Sequence, residues 1–283
     1  MTNPSALAEK PFSDPVHQPF YWRQGERAAL LLHGFPGTPA EMRPLGELLR
    51  ADDWTVEAPL LPGFGPDIET LPERSFREWL DAARDTYLRL RREHEQILLI
   101  GNSMGGSLAM TLAAERRPSG LVLLAPFTGF AGRWQELLWP LARRCVSQFK
   151  PFEHADFSAP EIRRVVHRMC NGADPADAKI QEFVRGITLP MHAIDQLKQI
   201  GSLARKTAPQ INAQILLLQG NRDGVVIPRT SRRLLKRFSM AVEYFELDGA
   251  HDLVELDCPA WPEVKHRVSQ FTATVARAEI AET

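Results

Sequence analysis

The sequence has little of what marks several classes of protein. Its three cysteines, Cys145, Cys170 and Cys258, lack C-x-x-C spacing, so they indicate neither a disulfide framework nor a zinc or other metal site. A net charge of −1 leaves no basic field for nucleic acid or an anionic membrane. There is no run of about 18 apolar residues and no apolar stretch behind a basic N-terminus. We therefore expect a cytoplasmic protein with no signal peptide and no stable membrane insertion.

What the chain does contain is the pattern of a large α/β domain. Hydrophobic residues make up 44% of the 283 positions and charged residues 24%, which are ordinary values for a globular protein with a sizeable core. Short apolar runs typical of strands buried on both faces alternate with amphipathic helical patterns, which predicts a mainly parallel sheet flanked by helices. The runs are Ala28 to Leu32, Trp54 to Ala58, Ile97 to Ile100, Leu121 to Leu124, Ile215 to Leu218 and Val242 to Leu247.

The alternation breaks between residues 127 and 209, where the sequence shows helical patterns and no convincing strand. One of these patterns runs from Trp134 to Phe149. The interruption of roughly 80 residues is far longer than a structureless loop, which rarely exceeds about 15. We predict that residues 127–209 form a helical cap inserted into an α/β core of residues 17–126 and 210–283, behind a flexible N-terminal arm of residues 1–16.

The stretch Gly101-Asn102-Ser103-Met104-Gly105 joins the Ile97 run to a helical pattern. A serine between a strand end and a helix start is forced into strained backbone angles, which hold its hydroxyl out at the tip of the sheet. The flanking glycines remove Cβ atoms that would collide as strand and helix close up. These features predict a nucleophile at Ser103, and the alternative is an ordinary glycine-rich turn.

A serine hydroxyl needs a base to take its proton and an acid to orient that base. Asp223 lies in the loop that directly follows the Ile215 run and His251 in the loop that directly follows the Val242 run, so both belong at the carboxyl edge of the sheet. We predict that Asp223 is the acid and His251 the base. Asp223 could instead be only a turn residue, in which case Asp248 and Asp252, which bracket His251, are the alternative acids.

The oxygen of an attacked carbonyl needs two backbone donors as it becomes charged. The N–H of Met104, directly after the serine, is one candidate. The second should come from the loop after the Ala28 run, where Phe35 follows His33 and Gly34. His33 is predicted to brace this loop, and the alternative for the loop is again an ordinary strand-to-helix turn.

Five motifs together resemble the bacterial carboxylesterase and monoacylglycerol lipase group of α/β-hydrolases: L-L-L-H-G-F-P-G-T, A-P-L-L-P-G-F-G, G-N-S-M-G-G, R-D-G-V-V and G-A-H-D-L-V-E-L-D. The resemblance implies the α/β-hydrolase fold and a cofactor-free serine hydrolase that cleaves carboxylic esters through an acyl-enzyme. It also implies Ser103, Asp223 and His251 as the triad, with Phe35 and Met104 as oxyanion donors.

The chain departs from this group at two places. The group often has G-H-G where the chain reads Gly63-Phe64-Gly65, and it often has leucine where Asn102 stands. The form G-N-S-M-G-G is also similar to that of meta-cleavage-product hydrolases, which cut carbon–carbon bonds. Thioesterase, lysophospholipase and carbon–carbon hydrolase activities therefore stay open, as does a catalytically silent binding protein on the same fold.

Large apolar residues of the predicted cap indicate the substrate. Trp134, Leu138 and Trp139 are candidates to line an apolar pocket over Ser103, although such residues also form ordinary core. We expect a small-molecule ester as partner, either a short to medium acyl ester or a monoacylglycerol. No nucleic-acid partner is expected, and a homodimer stays open.

Overall fold

The computed structural model of the protein describes residue 12 and residues 14–130, 148–169 and 173–278. Nine strands lie in this part of the chain: β1 (Phe20–Trp22), β2 (Arg27–Leu32), β3 (Trp54–Ala58), β4 (Ile97–Asn102), β5 (Gly120–Leu124), β6 (Gln148–Phe149), β7 (Leu189–Pro190), β8 (Gln214–Gly220) and β9 (Val242–Leu247). Seven of them form one sheet in the order β1-β3-β2-β4-β5-β8-β9. Within this seven-stranded sheet, only β1 runs antiparallel to its neighbour, so the predicted mainly parallel sheet is confirmed.

Helices connect the strands of the sheet, as the alternating sequence pattern predicts. In the described ranges the α-helices are α1 (Arg43–Ala51), α2 (Phe76–Arg91), α3 (Met104–Arg116), α4 (Pro160–Met169), α5 (Ala178–Gly186), α6 (Met191–Thr207), α7 (Pro228–Leu235) and α8 (Trp261–Ala278). Short 3-10 helices span Pro15–His17, Pro39–Met42, Gly65–Glu73 and Ala208–Gln210. Ser75 starts α2 through a capping box, in which its hydroxyl accepts the N–H of Glu78 and the Glu78 carboxylate accepts the N–H of Ser75.

The central strands are buried on both faces because helices cover both sides of the sheet. Leu30 of β2 lies in the apolar cluster that contains Trp79 of α2, whereas Leu31 lies in the opposite cluster with Phe271 of α8. Both leucines are fully buried. This arrangement explains why the strands read as continuous apolar runs rather than as alternating ones.

The described residues between β5 and β8 pack in separate apolar clusters. Phe157, Val166 and Val184, around α4 and α5, share a small apolar cluster of their own. In contrast, Ile200 of α6 lies in the main apolar cluster with Leu108 of α3. The assignment of residues 127–209 as a single cap stays a prediction.

One expectation for this segment was wrong. Gln148 and Phe149 were predicted as the end of a helix, but they form β6 and pair antiparallel with β7. The pair is only two residues long and its strands are about 40 positions apart, so hydrophobic periodicity gives no signal for it. The rest of the predicted helix, residues 134–147, lies outside the described residues.

Two of the N-terminal residues that the structure describes, Phe12 and His17, are buried. Phe12 is 6% exposed and stacks edge-on against His17, whose Nδ1 lies 2.8 Å from the hydroxyl of Thr38. Across the described part of the chain, no helix has the length and apolar character needed to cross a bilayer.

Candidate active site

Ser103 lies in a strained turn between β4 and α3. Its backbone angles are φ 50° and ψ −111°, a region that costs a non-glycine residue roughly 1–3 kcal/mol. Its N–H donates to the carbonyl of Leu124 at 2.9 Å, and its carbonyl accepts the N–H of Phe127 at 3.0 Å. These two bonds to the end of β5 and the segment after it hold the strained conformation in place.

The flanking glycines are required by close backbone approaches. A Cβ on Gly101 would lie 2.2 Å from the carbonyl oxygen of Gly105, and a Cβ on Gly105 would lie 2.0 Å from that of Leu32. Both distances are far shorter than a van der Waals contact. The predicted steric role of the two glycines is therefore confirmed.

Asp223 and His251 meet at the carboxyl ends of β8 and β9. The Nδ1 of His251 lies 2.7 Å from Oδ2 of Asp223. The side chain of Asp223 is fully buried, whereas 18% of the His251 side chain is exposed. Of the alternative acids, Asp248 pairs with Arg222 at 2.5 Å on the surface, and Asp252 lines the cavity described below. The structure thus places Asp223, rather than Asp248, in contact with the imidazole.

The carboxylate of Asp223 is held by three further donors. Its Oδ1 accepts the N–H groups of Val225 and Val226, each at 2.8 Å, and its Oδ2 accepts Nε2 of Gln219 at 3.0 Å. Four contacts on one buried carboxylate fix its direction. Asp223 is therefore a turn residue and a partner of His251 at the same time.

Gln219 is a site residue that the sequence reasoning missed. It is fully buried at the end of β8, and its Nε2 also donates to the carbonyl of Val226 at 2.9 Å. Its Oε1 accepts the hydroxyl of Ser231 at 2.5 Å, which fixes the orientation of the amide. The available signal was a polar side chain directly after the apolar run of β8.

The environment of His251 favours its protonated form. Burial lowers the pKa of His251, but the hydrogen bond and charge of Asp223, with the charges of Asp252 and Glu41, outweigh burial and raise the pKa overall. Because Asp223 accepts from Nδ1, the neutral ring carries its proton there and leaves Nε2 as an acceptor. An imidazole in this state can take a proton and is stabilised once it has done so.

Ser103 and His251 line the same cavity of about 190 Å³. Phe35 lines it as well, and Asp223 lies behind His251 rather than in the cavity. Apolar walls of the cavity also come from several other described segments, among them Ile68, Phe152, Val165, Ile187 and Leu189. The side chain of Met104 is fully buried and does not line the cavity. Met104 is the first residue of α3, so its backbone N–H has no acceptor within the helix. Trp134, Leu138 and Trp139 lie outside the described residues.

The loop that carries Phe35 is braced from inside. His33 is fully buried, its Nδ1 donates to the carbonyl of Gly34 at 2.9 Å, and its Nε2 accepts the N–H of Leu61 at 3.1 Å. Burial lowers the pKa of His33 to about 4, against the hydrogen bond to Gly34, so the ring is neutral. Phe64, in place of the group's more usual histidine, packs edge-on against the rings of His33 and Phe35. The prediction that His33 braces its own loop is confirmed.

Glu41 and Asn102 form a second polar contact at the cavity that the sequence reasoning missed. Oε1 of Glu41 accepts the N–H of Gly34 and lies 3.1 Å from Nδ2 of Asn102. Both side chains line the cavity beside Ser103. Neither hydrophobic pattern nor motif spacing relates a glutamate in a 3-10 turn to a strand end 61 positions later.

The described residues offer no evident metal site or disulfide. In residues 14–130, 148–169 and 173–278, no group of three or more histidine, cysteine or acidic side chains is arranged to hold a metal ion. Cys258 is a buried free thiol, and burial raises its pKa. Cys145 and Cys170 lie outside the described residues.

A model of the family described as alpha/beta hydrolase matches residues 29–261, well over half of the chain. The chain belongs to the alpha/beta hydrolase family. This family assignment covers β2 to the start of α8 and so includes Ser103, Asp223 and His251.

Two bacterial relatives and one solved structure show what this alpha/beta hydrolase is similar to. It is 39% identical to the thermostable monoacylglycerol lipase of Bacillus sp. (strain H-257) over 101 residues, which are 36% of this chain and 40% of that protein. It is 25% identical to a carboxylesterase of Bacillus subtilis (strain 168) over 252 residues, 85% of this chain and 94% of that protein. The predicted resemblance to this group is confirmed.

The fold likeness extends further than the sequence likeness. A solved structure of the metagenome-derived lipolytic enzymes LipS and LipT superposes with a TM-score of 0.74 at 20% identity, covering 92% of this chain and 98% of that one. The predicted α/β-hydrolase fold is therefore confirmed along most of the chain.

Proposed function

We propose that this alpha/beta hydrolase is a serine carboxylic ester hydrolase, with Ser103 as nucleophile, His251 as base and Asp223 as the acid that orients it. The observation that carries the proposal is the 2.7 Å contact between Asp223 and His251, at the edge of a cavity that Ser103 also lines. The relatives named carboxylesterase and monoacylglycerol lipase support ester hydrolysis as the class of reaction.

The reaction proceeds through an acyl-enzyme in two similar halves. Nε2 of His251 takes the proton of the Ser103 hydroxyl as the serine oxygen attacks the ester carbonyl. The N–H groups of Phe35 and Met104 donate to the carbonyl oxygen as it becomes negatively charged. The imidazolium, stabilised by Asp223, then gives its proton to the departing alcohol. In the second half, His251 takes a proton from water as the water oxygen attacks the acyl-enzyme carbonyl. It then returns the proton to the Ser103 oxygen as the acid product leaves.

The cavity supports an acyl group of short to medium length. Its volume of about 190 Å³ is below the ~300–1,000 Å³ typical of pockets for drug-sized ligands. Most of its described walls are apolar, so the acyl chain gains by leaving water. Trp134, Leu138 and Trp139 as substrate contacts, a cytoplasmic location and a homodimer stay predictions.

The test is turnover of a p-nitrophenyl ester series from acetate to palmitate by the wild type and by Ser103→Ala. We expect highest kcat/KM at short to medium acyl chains, a burst of p-nitrophenol from the acyl-enzyme, and covalent labelling by a fluorophosphonate. Ser103→Ala should lose all three, whereas Ser202→Ala on α6 should keep them. Thioester and carbon–carbon substrates are included, and turnover of these alone, or of no ester at any chain length, refutes the proposal.

A further inference from the structure

The contacts of Glu41 show how the segment carrying the Phe35 donor is held against the nucleophile. We propose that Glu41 is a positioning residue of the reaction: its carboxylate ties the backbone of Gly34 to Asn102, and so fixes the N–H of Phe35 relative to Ser103. This inference rests on the function proposed above. It assigns to Glu41 no contact with the reacting atoms.

One carboxylate oxygen joins the immediate neighbours of two reacting components. Oε1 of Glu41 accepts the N–H of Gly34, the residue before Phe35, and Nδ2 of Asn102, the residue before Ser103. Gly34 is also packed closely between the Glu41 carboxylate and the Ser103 side chain. A Cβ on Gly34 would lie 3.1 Å from Oε1 of Glu41 and 3.4 Å from Cβ of Ser103. A shift of the carboxylate therefore moves the loop relative to the nucleophile.

The loop leaves room for the carboxylate only because position 37 is glycine. A Cβ on Gly37 would lie 2.2 Å from Oε2 of Glu41. The turn is closed by the N–H of Gly37, which donates to the carbonyl of Gly34 at 3.0 Å, and by the N–H of Glu41, which donates to that of Thr38 at 3.2 Å. The carboxylate is thus enclosed by the same turn that it supports.

The charge of Glu41 acts on the base as well as on the loop. Three carboxylates act on His251: that of Asp223, which bonds it, and those of Asp252 and Glu41, and each raises the pKa of the imidazole. A negative charge near a developing oxyanion is unfavourable by itself. The two donors to Oε1 offset part of that charge, and the remainder favours the imidazolium that forms in the same step.

The partner of Glu41 differs from the residue that the resembled group often has at the same position. That group often has leucine at the position of Asn102, and a leucine has no amide to bond a carboxylate. The link from the loop to β4 through two side chains is therefore not a property expected of every member. The Glu41–Asn102 contact can therefore be removed by mutation while Ser103, Asp223 and His251 are left unchanged.

The experiment compares Glu41→Ala, Glu41→Gln, Asn102→Ala and the double variant Glu41→Ala with Asn102→Ala, using p-nitrophenyl butyrate. Glu47→Gln is the matched control, because Glu47 is an exposed glutamate on the neighbouring α1. We expect Glu41→Ala to lower kcat by about 10- to 100-fold, less than full removal of an oxyanion donor, with KM changed by less than about threefold. In the double variant, Asn102→Ala should add little further loss, since both residues act through one contact.

Two further variants separate positioning from a general effect on folding. Glu41→Gln keeps an acceptor for Gly34, so it should recover most of the kcat lost in Glu41→Ala, while the acid limb of kcat/KM moves to lower pH. Gly37→Ala displaces the carboxylate without changing charge, so its kcat should fall like that of Glu41→Ala. Thermal unfolding of each variant is measured alongside.

NMR titration of the His251 ring in wild type and Glu41→Gln reads the charge contact without turnover, and its pKa should be lower in the variant. If the wild type cleaves no ester, the proposed function fails while this titration still reports on Glu41. An unmoved His251 pKa overturns the inference. So does a Glu41→Ala enzyme with wild-type kcat, or losses in the double variant that multiply independently.

Discussion

Replacing Asp223 by asparagine tests the assignment of the acid most directly. Oδ1 of Asp223 accepts two backbone N–H groups, from Val225 and Val226, so the asparagine oxygen should remain at that position. The amide NH₂ then takes the place of Oδ2, where it faces Nδ1 of His251 and Nε2 of Gln219. To accept from this NH₂, the imidazole must carry its proton on Nε2 instead, and it can no longer take the proton of Ser103.

The expected loss follows from this change of tautomer. A triad acid replaced by its amide lowers kcat on the order of 10⁴-fold, which corresponds to about 5 kcal/mol of transition-state stabilisation. Removing the carboxylate also lowers the pKa of His251, because the hydrogen bond and charge of Asp223 are the largest effects that raise it. Any residual activity should therefore have its acid limb at lower pH than in the wild type.

The assay is kcat and kcat/KM on a p-nitrophenyl ester across pH, with Asp248→Asn as the matched control. Asp248 is exposed and paired with Arg222, so its amide variant should keep near wild-type activity. Thermal unfolding shows whether each variant is folded. A kcat for Asp223→Asn within about tenfold of the wild type, or a larger loss in Asp248→Asn, would refute the assignment of the acid.

Two other predictions concern stability. The pKa of His33 is about 4 in the folded protein and 6.5 in the unfolded chain. Between pH 6.5 and about pH 4, the unfolded chain therefore binds a proton at His33 that the folded protein does not bind. The free energy of unfolding therefore falls by about 3 kcal/mol as the pH falls through this range. Urea unfolding of His33→Asn should show a correspondingly weaker dependence of this free energy on pH, and an unchanged dependence would contradict the prediction. Gly105→Ala should destabilise by about 2–3 kcal/mol or more and abolish activity, because its Cβ would meet the carbonyl of Leu32. Gly186→Ala, with no atom within 4 Å of the new Cβ, is the control, and equal unfolding midpoints for the two contradict the steric argument.

The amino-acid sequence by itself determined the sheet and the edge at which the site lies. Strands buried on both faces must be apolar throughout, so each core strand is readable as a short continuous run. In a parallel sheet the carboxyl ends of such strands meet at one edge. Ser103, Asp223 and His251, each in the turn or loop that follows such a run, could therefore be assigned to the same region without coordinates.

Only the tertiary structure decided which polar groups touch there. Asp223 and Asp248 each adjoin the end of a strand, and the turn geometry after β8 aims one carboxylate at His251 while the other reaches Arg222 at the surface. Likewise, Glu41 reaches Asn102 across 61 positions because β2 and β4 are neighbours in the sheet. Periodicity reports which face of an element is buried, but the pairing of side chains depends on register and turn geometry between elements distant in the chain.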